Sequence, residues 1–311
     1  MYLSRTGSNI KTKKYLADQA TKAMFLLLRK IKKLTLPFDI QIDLFEKCVK
    51  PILLYGCEIW GFGNIDVLER VQLKFYKYIF NLKKSTPNYM VYGEIGIQPL
   101  SVDIKTRIVS YWARMIDNKE NSQVMKLNSK LYVILSELVS QRRVKSPWFE
   151  NVKGILCNNG YSGIWYSQSF SNSKWLIKYM HQKLNDCFIQ QWHSDIDRTS
   201  ASNFYKIVKV NFAQSNYIND LSSNLTKSLL SFITKNHRLP IETGRWNNTV
   251  INERKCVNCD DVGDEFHYLF KCNTFTNERH KYLNRYYYNR PNTQKLRELF
   301  DNVNKEQIRK Q

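Results

Sequence analysis

Apolar side chains recur at helical spacing along the first hundred residues. Because positions three or four apart share one face of a helix, this spacing predicts an amphipathic helix that ends near Pro37. Its apolar face is Leu16, Ala20, Met24, Leu27, Ile31 and Leu34, with lysine and arginine elsewhere. The same reasoning predicts helices over about 39–55, 66–82 and 101–117. The turn-rich stretch KKSTPNYMVYGEIGIQPL, residues 83–100, predicts a loop.

The middle of the chain gives weaker patterns. Apolar spacing predicts helices over about 122–141 and 173–193. The Gly/Asn/Ser-rich stretch CNNGYSGIWYSQSFSNS lies between them and predicts a loop. FYKIVKVNF fits either a short strand or a helix, and SNLTKSLLSFITKNH predicts another helix. The predicted fold class is therefore mostly α.

The charge balance points to a polyanionic partner. The 311 residues include 48 Lys plus Arg against 27 Asp plus Glu, a formal net charge of +21. A hydrophobic content of 43% is enough for a packed core, and 14% of the residues are aromatic. Cationic side chains neutralise phosphates and aromatic faces stack on bases, so this composition favours RNA or DNA over a membrane.

The sequence gives no sign of secretion or membrane insertion. The N-terminal stretch lacks an apolar signal core, and the apolar segment ILLYGCEIWGFG is short and contains Glu58. Seven cysteines, an odd number, argue against a disulfide framework. We therefore expect an intracellular protein of the nucleus or cytoplasm, without a membrane partner. The sequence contains no phosphate-binding loop, dinucleotide fingerprint or nucleophile elbow. We therefore expect no small-molecule substrate.

Three cysteines and one histidine have the spacing of a metal site. Cys256, Cys259, His267 and Cys272 follow the pattern Cys-x2-Cys-x7-His-x4-Cys within seventeen residues. Zn²⁺ prefers four such ligands in a tetrahedron, and a site closed by four protein ligands is structural. The spacing therefore predicts a structural Zn²⁺ site. The alternative is four unrelated side chains that share a short segment.

The predicted metal-binding loop is acidic, whereas its flanks are basic. Four acids and Lys271 lie between Cys256 and Cys272, a net charge of −3, so this loop should repel phosphate. The predicted phosphate contacts near it are Arg254, Lys255, Arg279, Lys281 and Arg285. Those on the first helix are Lys13, Lys14, Arg29, Lys30, Lys32 and Lys33. The segment RYYYNR could stack on bases or pack within the protein.

Several longer segments resemble the C-terminal part of LINE-type, non-LTR retrotransposon reverse transcriptases. They are KKYLADQATKAMFLLLRKI, LFEKCVKPILLYGCEIWG, LERVQLKFYKYIFNLKKSTPNYMVYGEIGIQPL and NHRLPIETGRW, the last preceding the Cys-Cys-His-Cys pattern. They follow the family's order and span most of the chain. The four Cys/His positions match the family's zinc-binding positions, and the lysines and arginines of the first helix fall on its thumb-like segment.

The resemblance implies thumb-like helical bundle segments, a helical linker and a small zinc-binding CCHC module. The corresponding regions are 1–117 for the thumb-like part, 118–235 for the linker, 236–290 for a zinc-knuckle-like module with a basic flank, and 291–311 for a basic tail. In the family this part holds template RNA and target DNA during target-primed reverse transcription. The implied partners are RNA, DNA and the polymerase palm and fingers of a longer polyprotein.

The sequence departs from the family at the catalytic centre. A polymerase needs paired carboxylates to hold two metal ions, and reverse transcriptases carry them as an aromatic-x-Asp-Asp motif. The Asp-Asp pair of this sequence, Asp260 and Asp261, lies inside the Cys/His segment. We therefore expect a fragment that is not an enzyme by itself. One alternative is a non-catalytic remnant that acts as a helical protein-interaction module with an incidental zinc site. Another is a nuclease or polymerase that acts through an unrecognised carboxylate site.

Overall fold

The computed structural model describes residues 9–117, 123–199 and 203–302, and most of them are helical. Within these ranges no strand forms, and one antiparallel bridge joins Lys255 to Val262. The mostly α prediction is confirmed. The α-helices are α1 (Ile10–Lys33), α2 (Phe38–Cys48), α3 (Lys50–Leu53), α4 (Cys57–Trp60), α5 (Asp66–Ile79), α6 (Asn88–Ile95), α7 (Leu100–Asp117), α8 (Gln123–Ser140), α9 (Pro147–Asn158), α10 (Ser162–Ser167), α11 (Ser173–Arg198), α12 (Asn203–Val208), α13 (Tyr217–Asp220), α14 (Ser223–Ile233), α15 (Pro240–Trp246), α16 (Glu265–Phe270), α17 (Thr276–Tyr282), α18 (Arg285–Tyr288) and α19 (Thr293–Asn302).

The chain divides into two compact units, each built from three separate segments. The first unit takes in the chain up to Lys32, Leu44–Gln72 and Gln98–Gln191. The second unit takes in Lys33–Asp43, Leu73–Ile97 and the chain from Trp192 onwards. The division into a thumb-like part (1–117), a linker (118–235) and a zinc-knuckle-like module (236–290) stays a prediction. The predicted basic tail, residues 291–311, includes α19, and its last residues, 303–311, lie outside the described residues.

Helix α7 forms the centre of the first unit. Its apolar face buries Ile104, Ile108 and Trp112, and the helix packs against α4, α8 and α9. The Trp112 Nε1 donates a hydrogen bond of 3.0 Å to the Tyr132 hydroxyl, so the buried indole keeps a polar partner. Gly61 lets the chain pass close to this helix, because a Cβ there would lie 2.4 Å from the Ile104 side chain.

The core of the second unit joins helices that are distant in sequence. Phe204 of α12 contacts Phe232 of α14 and Phe300 of α19, with ring centroids 5.5 and 5.9 Å apart. These edge-to-face contacts are a favoured aromatic geometry. The first five residues of the segment that fitted either a strand or a helix, 204–208, are therefore helical and belong to α12, whereas residues 209–212 form neither a helix nor a strand.

Two segments predicted as loops contain helices. Helix α6 lies within residues 83–100 and buries most of its residues, including the charged Glu94. Ser215 donates a 2.8 Å hydrogen bond to this carboxylate, and the Tyr217 hydroxyl donates another. Because α6 is buried nearly all round, it has no amphipathic pattern to reveal it. The second case is the short α10, inside the Gly/Asn/Ser-rich stretch.

Candidate metal centre and basic surfaces

A tight turn brings the first two cysteines together. The bridge between Lys255 and Val262 closes this turn, and the Cys256 amide donates to the Asp261 carbonyl over 2.9 Å. Lys255 also pairs with Asp260 at 2.6 Å across the same turn. The short hairpin thereby fixes Cys256 and Cys259 on one small loop.

The other two side chains of the cluster come from α16 and the residues directly after it. Asp264 caps this helix by accepting a 2.7 Å hydrogen bond from the His267 amide. The Cys272 amide then donates to the His267 carbonyl over 2.8 Å. This local bond folds the chain back so that Cys272 lies beside His267.

The four side chains converge with the geometry of a metal site. Their candidate ligand atoms all lie within 4.8 Å of one another. The Cys272 Sγ is 3.8 Å from that of Cys256 and 3.9 Å from that of Cys259. With Zn–S bonds of about 2.3 Å, the edge of a tetrahedral thiolate site is about 3.8 Å. Cys256, Cys259, His267 and Cys272, named here the Cys/His cluster, could therefore hold a metal ion.

His267 gives a second indication of a ligand. Its side chain is buried, and neither ring nitrogen has a hydrogen-bond partner within the described residues. Buried polar atoms normally have partners, so these nitrogens are poised for a ligand. The Asp261 carboxylate lies 3.6 Å from Nδ1, where an acid can orient a metal-bound imidazole.

The surroundings of Cys256 favour its thiolate. Burial alone would raise the pKa of this thiol, but hydrogen bonds from the Tyr268 hydroxyl and the Asn258 backbone outweigh it and lower the pKa to about 6. The pKa of Cys259 is raised: a hydrogen bond from the Asn273 backbone lowers it, but burial and the neighbouring thiols Cys272 and Cys256 prevail. One thiolate is therefore ready at neutral pH, and further protons must leave when a metal binds.

Two of the predicted phosphate-binding arginines instead support the fold around the cluster. Arg279 is buried, and its guanidinium donates to the carbonyls of Leu269 and Cys272 at 2.8 Å each. Arg254 donates to the carbonyls of Thr249 and Ile241. We therefore leave both out of the proposed phosphate-binding surface.

Helix α15 packs directly on the hairpin of the cluster. The Ile241 amide donates to the Gly263 carbonyl over 3.1 Å. A Cβ at Gly263 would lie 2.8 Å from the Pro240 ring, so glycine permits this close approach. His237 also joins the two segments, since its Nε2 lies 3.1 Å from the Glu265 carboxylate.

The first helix presents most of its predicted phosphate contacts to solvent. Those exposed are Lys14, Arg29, Lys30, Lys32 and Lys33. Lys13 differs, because only 5% of its surface is exposed and its amine donates to the carbonyls of Phe62 and Asn64. Burial lowers the pKa of Lys13. Its role in this structure is to hold the turn before α5.

The basic flank after the cluster is partly exposed. Lys281 and Arg285 are exposed, and Lys255 is exposed but paired with Asp260. In RYYYNR the middle tyrosine, Tyr287, is buried, whereas Tyr286 is half exposed and donates to Glu298 over 2.9 Å. This segment therefore both packs and presents an aromatic face.

A basic cleft in the second unit was not predicted from the sequence. It has a volume of about 100 Å³ and lies among residues 83–90, Thr199 and residues 234–246. Its cations are Lys83, Lys235 and Arg245, and none of the described residues that line it is acidic. Because its parts lie about 150 residues apart, no local spacing could have predicted it.

No protein-family model matches the chain, and neither a curated protein nor a solved structure shows significant similarity to it. None of the helices in the described ranges is both long and apolar enough to span a membrane.

Proposed function

We propose that this chain is a nucleic-acid-binding segment of a LINE-type reverse transcriptase, stabilised by zinc and not catalytic by itself. It would hold RNA template or target DNA beside a palm and fingers supplied by a longer polyprotein. The retrotransposon assignment rests on the sequence segments described above. The binding function is supported by the charge distribution, and the zinc by the Cys/His cluster.

The exposed basic face of α1 carries the nucleic-acid proposal. Five of the six cations proposed on this helix are exposed, and Asp18 is the one acid among residues 10–33. A helix with such a face can place several ammonium or guanidinium groups along a phosphate backbone. Lys281 and Arg285 would add contacts after the metal-binding loop, since both are exposed.

Zinc is the metal that this donor set fits best. Three thiolates and one imidazole form a soft, closed shell, which is typical of structural zinc and leaves no open position for substrate. The Arg279 bonds to the Cys272 loop and the Asp261 carboxylate beside His267 would support the ligands from outside. Zinc bound here would fix the hairpin against α16.

The proposal is tested by the salt dependence of binding to a labelled single-stranded RNA and to DNA of the same sequence. We expect affinity to fall steeply between about 50 and about 200 mM salt, because bound phosphates release counterions. Replacing Lys30, Lys32 and Lys33 by glutamine should flatten the logarithmic salt slope by about 2, or about 0.7 for each lost contact with a single strand.

A matched control removes the same charge from another helix. Lys174, Lys178 and Lys183 are exposed on α11, so their replacement by glutamine lowers the net charge equally. The control should change the slope much less than the α1 variant. Equal effects would show that only net charge matters, and salt-independent binding of the wild-type chain would contradict the proposal.

A second candidate function is a helical protein-interaction module. Helix α8 leaves Leu127, Leu131 and Ile134 with 59%, 48% and 55% of their surfaces exposed. Their spacing places them on one helix face. Weak, salt-insensitive RNA binding together with a stable protein complex that Leu131→Glu abolishes would favour this candidate.

A further inference from the structure

We propose that the basic cleft binds one phosphate of a single-stranded nucleic acid while the adjacent base stacks on Trp246. This inference rests on the proposed nucleic-acid-binding function and assigns it a specific site. The basic cleft is the space lined by Lys83, Thr86, Lys235, Asn236, Arg245 and Trp246, together with their neighbours.

The charge of the cleft suits a phosphate. Lys83, Lys235 and Arg245 converge on it. Two buried acids lie near these cations. Glu242 pairs with Arg245 at 2.6 Å and with Lys235 at 3.6 Å, and the Glu265 carboxylate also interacts electrostatically with Lys235. Two carboxylates beside three cations leave a local excess of one positive charge, and the described residues that line the cleft include no acid. The volume of about 100 Å³ is large enough to admit a phosphate group.

Trp246 supplies the aromatic surface beside these cations. Its side chain is 49% exposed, and the Lys83 amine lies 4.3 Å from its ring centroid. Lys83 is an exposed, flexible side chain, so it can turn from the indole to a phosphate oxygen. The ring face that it leaves is then open to a base, and base stacking on tryptophan tolerates any sequence.

The walls of the cleft are held in place before any ligand arrives. The Lys77 amine donates to the Thr86 carbonyl at 2.6 Å and to the Lys84 carbonyl at 3.0 Å, which fixes the loop that carries Lys83. The Thr86 hydroxyl donates to the Asn236 side chain over 2.9 Å and joins the two walls. Such preorganisation lowers the entropic cost of binding.

The Cys/His cluster supports one wall of the cleft. Arg245 and Trp246 lie at the end of α15, and this helix packs on the hairpin through the Ile241 to Gly263 hydrogen bond. Arg254 strengthens the same junction with a 2.9 Å hydrogen bond to the Ile241 carbonyl. The acidic metal-binding loop thus contributes to nucleic-acid binding through the position of α15.

The test compares binding of a labelled oligo(dT) of about twelve nucleotides with binding of the same strand in a duplex with oligo(dA). Trp246→Ala should weaken single-strand binding about tenfold and leave duplex binding nearly unchanged, because paired bases cannot stack on the indole. Trp246→Phe should keep most of the single-strand affinity that Trp246→Ala loses, because a phenyl ring can still stack on a base. Lys83→Gln should weaken single-strand binding and flatten its salt slope by about 0.7.

Trp175→Ala is the matched control, since Trp175 is 52% exposed on α11 in the first unit. It should bind single strands like the wild type, and thermal melting should show that all variants fold. Equal single-strand affinity of Trp246→Ala and wild type would overturn the inference, as would equal losses for single strand and duplex. Failure of the wild type to bind either probe at low salt would instead refute the proposed function.

Discussion

The Cys/His cluster and the basic cleft lie in the same unit but are assembled in opposite ways. The cluster takes all its side chains from residues 256–272, and its hairpin and helix α16 form through local hydrogen bonds. The cleft joins residues 83–90 to residues 234–246 through the bond between Thr86 and Asn236. The segment of the cluster, residues 256–272, carries four acids and one lysine, whereas the charged side chains that line the described part of the cleft are cations. The geometry of the local Cys/His cluster should therefore depend on its bound metal, whereas the geometry of the cleft should depend on the packing of its two walls.

The largest expected effect comes from removing a metal ligand. Cys272→Ser should abolish stoichiometric zinc binding, because the Cys272 Sγ lies within 4 Å of both other thiols and its side chain is fully buried. Structural zinc in small modules supplies about 10 kcal/mol or more of binding free energy, so the hairpin should lose its amide protection. Metal analysis and hydrogen exchange measure the two effects.

This change also tests whether the cleft depends on the cluster. Because α15 packs on the hairpin, single-strand affinity should fall in Cys272→Ser together with the zinc content. Cys187→Ser is the control, since Cys187 is an exposed free cysteine on α11. One zinc per chain in both cysteine variants would refute the metal site. Loss of zinc without any change in single-strand binding would show that the cleft is independent of it.

The difference between the two sites also explains what the sequence could reveal. The Cys/His cluster was predictable because its ligand spacing is short and its turn is local. Helix α7 was predictable because Ile104, Ile108 and Trp112 share one buried face. Helix α6 was missed because it is buried on nearly all sides and lies between Pro87 and Gly96, which signal a turn.

The burial of individual cations could not be predicted, because it depends on contacts that the local sequence does not reveal. The Lys13 amine finds its acceptors about fifty residues away, at Phe62 and Asn64. A basic residue on an amphipathic helix is usually solvated, so its sequence context favours an exposed role. Arg279, in contrast, donates to two carbonyls that are close in sequence, those of Leu269 and Cys272. Its local sequence nevertheless gives no sign that these two carbonyls accept from its guanidinium.

A smaller effect should follow from breaking the bond between the walls of the cleft. Thr86→Val keeps the side-chain shape but leaves the Asn236 oxygen without its donor, which should cost about 1–3 kcal/mol of unfolding free energy. Single-strand affinity should also fall, whereas zinc content should not change. Chemical denaturation and the oligo(dT) assay measure these effects.

Thr106→Val is the matched control for the Thr86 variant. The Thr106 hydroxyl donates to the Val102 carbonyl one turn back in α7, so its loss affects a bond within one helix of the first unit. It should leave single-strand affinity unchanged. If Thr86→Val kept full affinity, the hydrogen bond between the walls would not set the geometry of the cleft.

The smallest expected effect concerns the pH dependence of metal binding. The Tyr268 hydroxyl stabilises the Cys256 thiolate, whose pKa is about 6, so wild-type zinc affinity should fall as the pH drops through that range. Tyr268→Phe removes this donor and should raise the pKa of Cys256. Between the two pKa values the variant must release an extra proton when zinc binds, and zinc affinity at pH 7 should be about tenfold weaker. The difference in zinc affinity should shrink as the pH rises and the Cys256 thiol ionises in both proteins.

Competition with a chromophoric chelator over this pH range measures the difference in zinc affinity. Tyr282→Phe, at an exposed tyrosine, is the control. A difference that stayed constant with pH would mean that Tyr268 acts on the metal site through packing, because a protonation effect must disappear once both thiols are ionised.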